Sequence, residues 1–172
     1  MNERTLKDFF LGRISAKDLA SDVAGSVSHH PENVTVVHIR DMDDSFVINR
    51  QMALSLCDAV LRDHLPSAML ATIGFALLAS DLFEWEEDDL LANIINDWSC
   101  PEVNWPLTKE NVARCREWLM EREAYPAKPK STPITGNISN ARISVTTKNP
   151  TRWPKVSAFV YNITSPKIQF SN

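Results

Sequence analysis

Along the first 125 residues the apolar positions recur at helical spacing in six places, and between the second and third the period shortens to that of a strand. Leu6, Phe9 and Phe10 share one side of a short helix over Thr5–Leu11, and Gly12 is placed to stop it. Ser15 can cap a second helix, with Asp18 three residues on and Leu19, Val23 and Val27 repeating on one face, so a helical hairpin is predicted. From His30 to Asn49 the β-formers Val34, Val36, Val37 and Ile39, then Phe46, Val47 and Ile48, predict a small hairpin or extended loop turning at Asp41–Asp44. Asn49 caps a third helix whose apolar stripe is Ala53, Leu56, Cys57, Val60 and Leu61, with Asp58 and Arg62 as an exposed i,i+4 pair. Pro66 suits the first turn of a fourth helix, which runs to Ala79 and is apolar on nearly every side, with Gly74 permitting a close neighbour. A fifth helix over Glu86–Trp98 turns Leu90, Leu91, Ile94, Ile95 and Trp98 inward and fills its first turn with Glu86, Glu87, Asp88 and Asp89. Thr108 caps a sixth, carrying Val112, Cys115, Trp118 and Leu119. The prediction is a mainly α bundle of five to six helices with a short β-hairpin or loop insertion.

Composition changes abruptly after Tyr125. Residues 126–172 hold six prolines, 17 Ser, Thr or Asn residues and no acid, whereas all 22 acidic residues lie in 1–125. The formal charges are −11 for the first segment and +7 for the second. Two units are therefore expected, an acidic helical domain over 1–125 and a basic tail over 126–172. The tail is read either as disordered or as a β-hairpin of the alternating runs Ala141–Thr147 and Lys155–Ile163, which would have to lie on the acidic body because a lone hairpin is marginal in water. Neutralisation of the body by Lys128, Lys130, Arg142, Lys148, Arg152, Lys155 and Lys167 is the simplest use of its charge.

No chemistry-bearing motif assembles. The histidines His29, His30, His38 and His64 follow no metal-ligand spacing, and there is no HExxH, nucleophile elbow, phosphate-cradling loop or calcium loop. Cys57, Cys100 and Cys115 lack Cys-x-x-Cys spacing; Cys57 and Cys115 fall on apolar helix faces and read as core thiols. No catalytic residue, metal site or cofactor is expected. The longest apolar stretch, Ala68–Ala79, is shorter than the roughly 20 residues a spanning helix requires, and no secretory leader is evident, so a cytoplasmic protein without membrane contact is expected. The loop from Asp97 to Pro106 is read as a rigid connection whose tryptophans close one end of the bundle.

What remains is electrostatic. Asp81, Glu84, Glu86, Glu87, Asp88 and Asp89 surround Phe83 and Trp85, and Asp41, Asp43 and Asp44 crowd a turn. Helix capping explains part of the first cluster, but like charges at this density repel unless a basic partner neutralises them. These carboxylates, with Trp85 as aromatic anchor, are the expected partner-binding residues. The run Leu6-Lys-Asp-Phe-Phe-Leu-Gly-Arg-Ile-Ser-Ala16, the run Leu56-Cys-Asp-Ala-Val-Leu61 and the run Ile73-Gly-Phe-Ala-Leu-Leu-Ala-Ser-Asp81 resemble, in style and spacing, small helical bacterial immunity proteins that protect against colicin-type tRNA-cleaving and contact-delivered toxins. The resemblance implies a non-enzymatic protein that occludes a basic toxin, a nuclease for instance, by presenting carboxylates where the toxin expects phosphates. Two other readings stay open: a small enzyme or metal-dependent hydrolase using some of the histidines with nearby acids, which convergence of His29, His38 and Asp41 in a cleft would favour, and a nucleic-acid-linked regulator with the tail as a basic arm.

Overall fold

The computed structural model describes residues 1–30, 34–85, 88–126 and 158–162. Within them lie six helices: α1 Glu3–Phe10, α2 Ala16–Gly25, α3 Arg50–Leu61, α4 Met69–Ala79, α5 Asp89–Ser99 and α6 Lys109–Leu119. Five strands join them: β1 Val27–His30, β2 Val34–His38, β3 Phe46–Ile48, β4 Phe83–Trp85 and β5 Ala158–Asn162. The mainly helical architecture agrees with the apolar periodicity.

Local chemistry accounts for the helix ends. Asn2, Ser15, Asn49 and Thr108 each accept an amide of the first turn, and Ser15 with Asp18 forms a reciprocal capping box. Gly12 takes φ +69° after α1, where its amide donates to the Phe9 carbonyl and that of Arg13 to Asp8. The same closure follows α3 and α6, but acids occupy the left-handed position: Asp63 at φ 61° and Glu121 at φ 55°.

These two acids reach across an antiparallel helix pair. Asp63, past the end of α3, pairs with Lys109 at the start of α6, while Glu121, past the end of α6, pairs with Arg50 at the start of α3. Between them Arg116 donates to Asp58 at 2.7 Å. Each acid thereby sits at the partner helix's N-terminus, where the macrodipole favours negative charge. The expected Asp58–Arg62 pair is present but longer, 3.9 Å, so Asp58 chiefly serves the neighbouring helix.

The core is formed by α3 to α6 with α1 and α2 against them, and Leu6, Leu19, Leu56, Leu70, Ile73, Leu91, Ile94, Ile95 and Trp98 are among its buried side chains. α4 lies closest to α5, because Gly74 leaves room for the α5 backbone: a Cβ there would stand 3.0 Å from the Ile95 carbonyl oxygen, the Ser99 amide and the Trp98 Cβ. Pro66 precedes α4 in a turn and is not within its first helical turn.

The β elements depart from expectation. The two runs predicted to form one hairpin belong to different sheets. β2 pairs antiparallel with β1, while β3 pairs parallel with β4. Val27 is a strand residue because α2 closes at Gly25 and Ser26, whose hydroxyl bonds the Val23 carbonyl. β5, from the second alternating run of the tail, pairs antiparallel with β2 to give the order β1-β2-β5. The run Ala141–Thr147 and all seven tail bases lie outside the described residues.

Candidate functional site

The parallel pairing of β3 and β4 joins the two acidic segments that sequence spacing keeps apart. Phe46 lies opposite Phe83, Val47 opposite Glu84 and Ile48 opposite Trp85, and the Phe46 amide donates to the Leu82 carbonyl at 2.8 Å. Alternation directs Phe83 and Ile48 into the core and turns Val47 (47% exposed) and Glu84 outward. Beneath the ribbon the Phe46 ring stacks on Phe10 and meets Phe83 edge-on, while the Lys7 ammonium lies 5.4 Å from its centre. Parallel strands begin at the same end, so Asp44 and Asp81, each two residues ahead of its strand, flank one end of the ribbon. The Ser80 hydroxyl fixes that approach by accepting the Leu82 and Phe83 amides.

The ten predicted partner-binding residues divide into distinct environments. Asp44, Asp81, Glu84 and Asp89 are exposed, and none takes part in an ion pair with another described residue. Asp41 and Asp43 are exposed too, but Asp43 stands 3.9 Å from Arg4. A crevice there is lined by Arg4, Lys7, Asp8, Arg13, Met42, Asp43 and Asp44; Arg13 pairs with Asp8 and Arg4 stands nearest Asp43, so neither base is taken up by Asp44. Trp85 is half-buried and packs on the core. Glu86 and Glu87 lie outside the described residues.

Asp88 corrects the expected helix start. It is the N-cap, extended at φ −125°, ψ 90°, and its side chain accepts the Leu90 and Leu91 amides at 3.1 Å, so α5 begins at Asp89 and not at Glu86. Phe83–Trp85 are already committed to β3, which leaves the helix no room to start earlier. The same carboxylate is gripped by the Arg50 guanidinium through Nε and, at 3.0 Å, Nη2. This bond, together with the two amides, holds the Asp88 carboxyl below the usual range despite its partial burial. Asp88 therefore belongs to the framework: Arg50 ties the start of α3 to the start of α5 and the end of α6. No sequence signal pointed to Arg50, because its partners lie 38 and 71 positions away.

The remaining candidates are placed as follows. His38 is exposed, with Nε2 3.4 Å from the Ser28 hydroxyl, in a polar cleft of about 610 Å³ that Asn2, Asp22 and Arg40 also line; Asp41 does not line it. His64 is exposed. Cys57 and Cys115 are buried and Cys100 half-buried. Burial drives the Cys57 thiol far up and raises that of Cys115 to about 11. Among the described residues no group of three or more His, Cys, Asp or Glu side chains is placed to hold a metal, and no helix is long and apolar enough to cross a membrane. Trp98 is wholly buried in α5, and Trp105 packs on Trp118 with ring centres 6.2 Å apart. Comparison of the chain with protein-family models, with curated proteins and with solved structures gives no match.

Proposed function

We propose that this protein is a non-enzymatic, immunity-type inhibitor that binds a basic protein toxin, a nuclease by preference, through the outer face of the β3–β4 ribbon. One observation carries the reading: the pairing of β3 with β4 brings Asp44 and Asp81 to one end of a two-stranded ribbon that bears Glu84, and these three and Asp89, at the start of the helix that follows, have no ion-pair partner among the described residues. Unpaired carboxylates on a common face raise the local negative potential, steer a cationic partner and speed its capture, to about 10⁸ M⁻¹s⁻¹ or above at low salt. Val47 adds an apolar contact at the middle of that face. Asp88 and Trp85, which the framework uses, stand behind it as supports.

The test is direct inhibition. The product of the neighbouring reading frame is expressed, its nuclease activity is measured with and without this protein, and association is followed from low to high salt. Stoichiometric inhibition that slows with salt, and that slows further when Asp44, Asp81, Glu84 and Asp89 are all changed to Lys, supports the reading. A neighbour that is not inhibited, or inhibition indifferent to those four changes, rejects it.

A further inference from the structure

The acidic ribbon is a small structure with few hydrogen bonds of its own. β3 and β4 have three residues each and pair in parallel, the slightly less stable arrangement per residue, and two strands alone are marginal in water. Both strands run the same way, so the segments that precede them meet at one end and those that follow meet at the other. The upstream end is closed by backbone and hydroxyl groups: the Phe46 amide donates to the Leu82 carbonyl at 2.8 Å, and the Ser80 hydroxyl accepts the Leu82 and Phe83 amides.

The downstream end is closed by charge. Arg50 stands two residues past β3, and Asp88 three residues past β4. Their contact is a fork: Nε and, at 3.0 Å, Nη2 of Arg50 donate to the two carboxylate oxygens of Asp88, which fixes direction as well as separation. The remaining nitrogen, Nη1, donates to Glu121 past the end of α6, so the guanidinium is itself seated on the helical body. A chain of contacts thus runs from α6 through Arg50 to the exit of the ribbon, and Asp89 follows directly at the start of α5. Asp44 and Asp81 belong to the upstream end and Asp89 to the downstream end, so the spacing of these acids depends on β3 and β4 keeping their register.

We infer that Arg50 is the positioning residue of the acidic face: it clamps the downstream ends of β3 and β4 and so sets where Glu84 and Asp89 stand relative to Asp44 and Asp81. The consequence for binding rests on the function proposed above, whereas the clamp itself does not. Because the guanidinium also neutralises Asp88 and Glu121, the clamp has a kinetic signature. Removing its charge makes the face more negative and quickens encounter with a cationic protein, while loosening the ribbon spoils the docked fit and quickens release. A change of charge alone would speed encounter and leave release as it was.

Arg50→Gln and Arg50→Lys in the full-length chain test this. The Phe46 amide faces β4 and amide directions alternate along a strand, so Ile48 also turns its amide to β4, at the clamped end. Its hydrogen exchange should quicken by about tenfold or more in Arg50→Gln, while Ile73 and Leu77, buried in α4, keep their wild-type rates and so exclude general unfolding. Glu121→Gln, which leaves the Asp88 fork in place, should not change exchange at Ile48. Against the product of the neighbouring reading frame, Arg50→Gln should associate at least as fast as wild type at low salt and dissociate about tenfold faster. Arg50→Lys keeps the charge but cannot form the fork, so it should pair a wild-type association rate with faster dissociation. Unchanged exchange at Ile48 in Arg50→Gln overturns the clamp, whatever the partner does. Quickened exchange with unchanged dissociation overturns the positioning of the acidic face. A neighbouring product that the wild-type chain does not inhibit counts against the proposed function instead, and the exchange at Ile48 still decides the clamp.

Discussion

Asp88 combines a helix cap with a charge pair, and two substitutions take these apart. Asp88→Asn keeps a side-chain oxygen for the Leu90 and Leu91 amides, since Asn caps about as well as Asp, but abolishes the charge facing the Arg50 fork. Charge-assisted hydrogen bonds contribute about 1.5–3 kcal/mol each to stability, and the 32% exposure of the Arg50 side chain argues for the lower part of that range. The loss expected for Asn is about 1.5–2 kcal/mol, and Ala, which also forfeits the cap, should lose about 1 kcal/mol more. Urea unfolding at pH 7, followed by tryptophan fluorescence, measures both against wild type and against Asp89→Asn, whose exposed side chain should shift stability by no more than about 0.5 kcal/mol. Acidification adds an independent check. The folded-state pKa of Asp88 is depressed below its unfolded value of about 3.9, so its contribution is complete above that pH and disappears as pH falls through the folded value. The gap between wild type and Asp88→Asn should therefore close as pH falls below the ordinary carboxylate range, where the depressed carboxyl takes up its proton. A gap under about 0.5 kcal/mol at neutral pH, or one that persists in acid, would refute the framework role.

Gly74→Ala should destabilise the fold by about 1–3 kcal/mol in the same assay, although Ala is the better helix former, because its methyl would press on α5 backbone atoms 3.0 Å away. Tyr125→Phe removes the hydroxyl that donates to Asp97, a carboxylate only 1% exposed, and should cost about 1–3 kcal/mol by thermal or urea unfolding; a change within error would show that the bond adds nothing. Thiol titration of the native protein at pH 8 should label Cys100 first, with Cys57 and Cys115 reacting only on unfolding, since both are buried with raised pKa values. Rapid labelling of all three would contradict that packing.

Helix caps were the most legible part of the chain. Ser15, Asn49 and Thr108 each accept an amide three residues away, so their role is written locally. The apolar faces of α3 to α6 were legible for the same reason. Pairing across distance was not. Strands of three residues carry almost no periodic signal, and Phe83-Glu-Trp85 sits so close to four acids that it read as the approach to a helix. The one available cue was its alternation, inward Phe83, outward Glu84, half-buried Trp85, matched by Phe46, Val47 and Ile48. The charge count was correct as a sum yet silent on distribution: Asp58, Asp63, Asp88 and Glu121 are taken up by bases of the framework, whereas Asp44, Asp81, Glu84 and Asp89 are not.

The crossed latches of α3 and α6 tie the length of each helix to that of its neighbour. Lys109 meets Asp63 at one end and Arg50 meets Glu121 at the other, because two antiparallel rods of 12 and 11 residues run side by side. One residue inserted into either rod would advance its far end by about 1.5 Å and rotate it by roughly 100°. The two clasps could then no longer both keep their register, and a shift at the Arg50 end would be felt at the start of α5, which Arg50 also holds. Length variation in this protein therefore belongs in its loops, where no such paired fastening keeps measure.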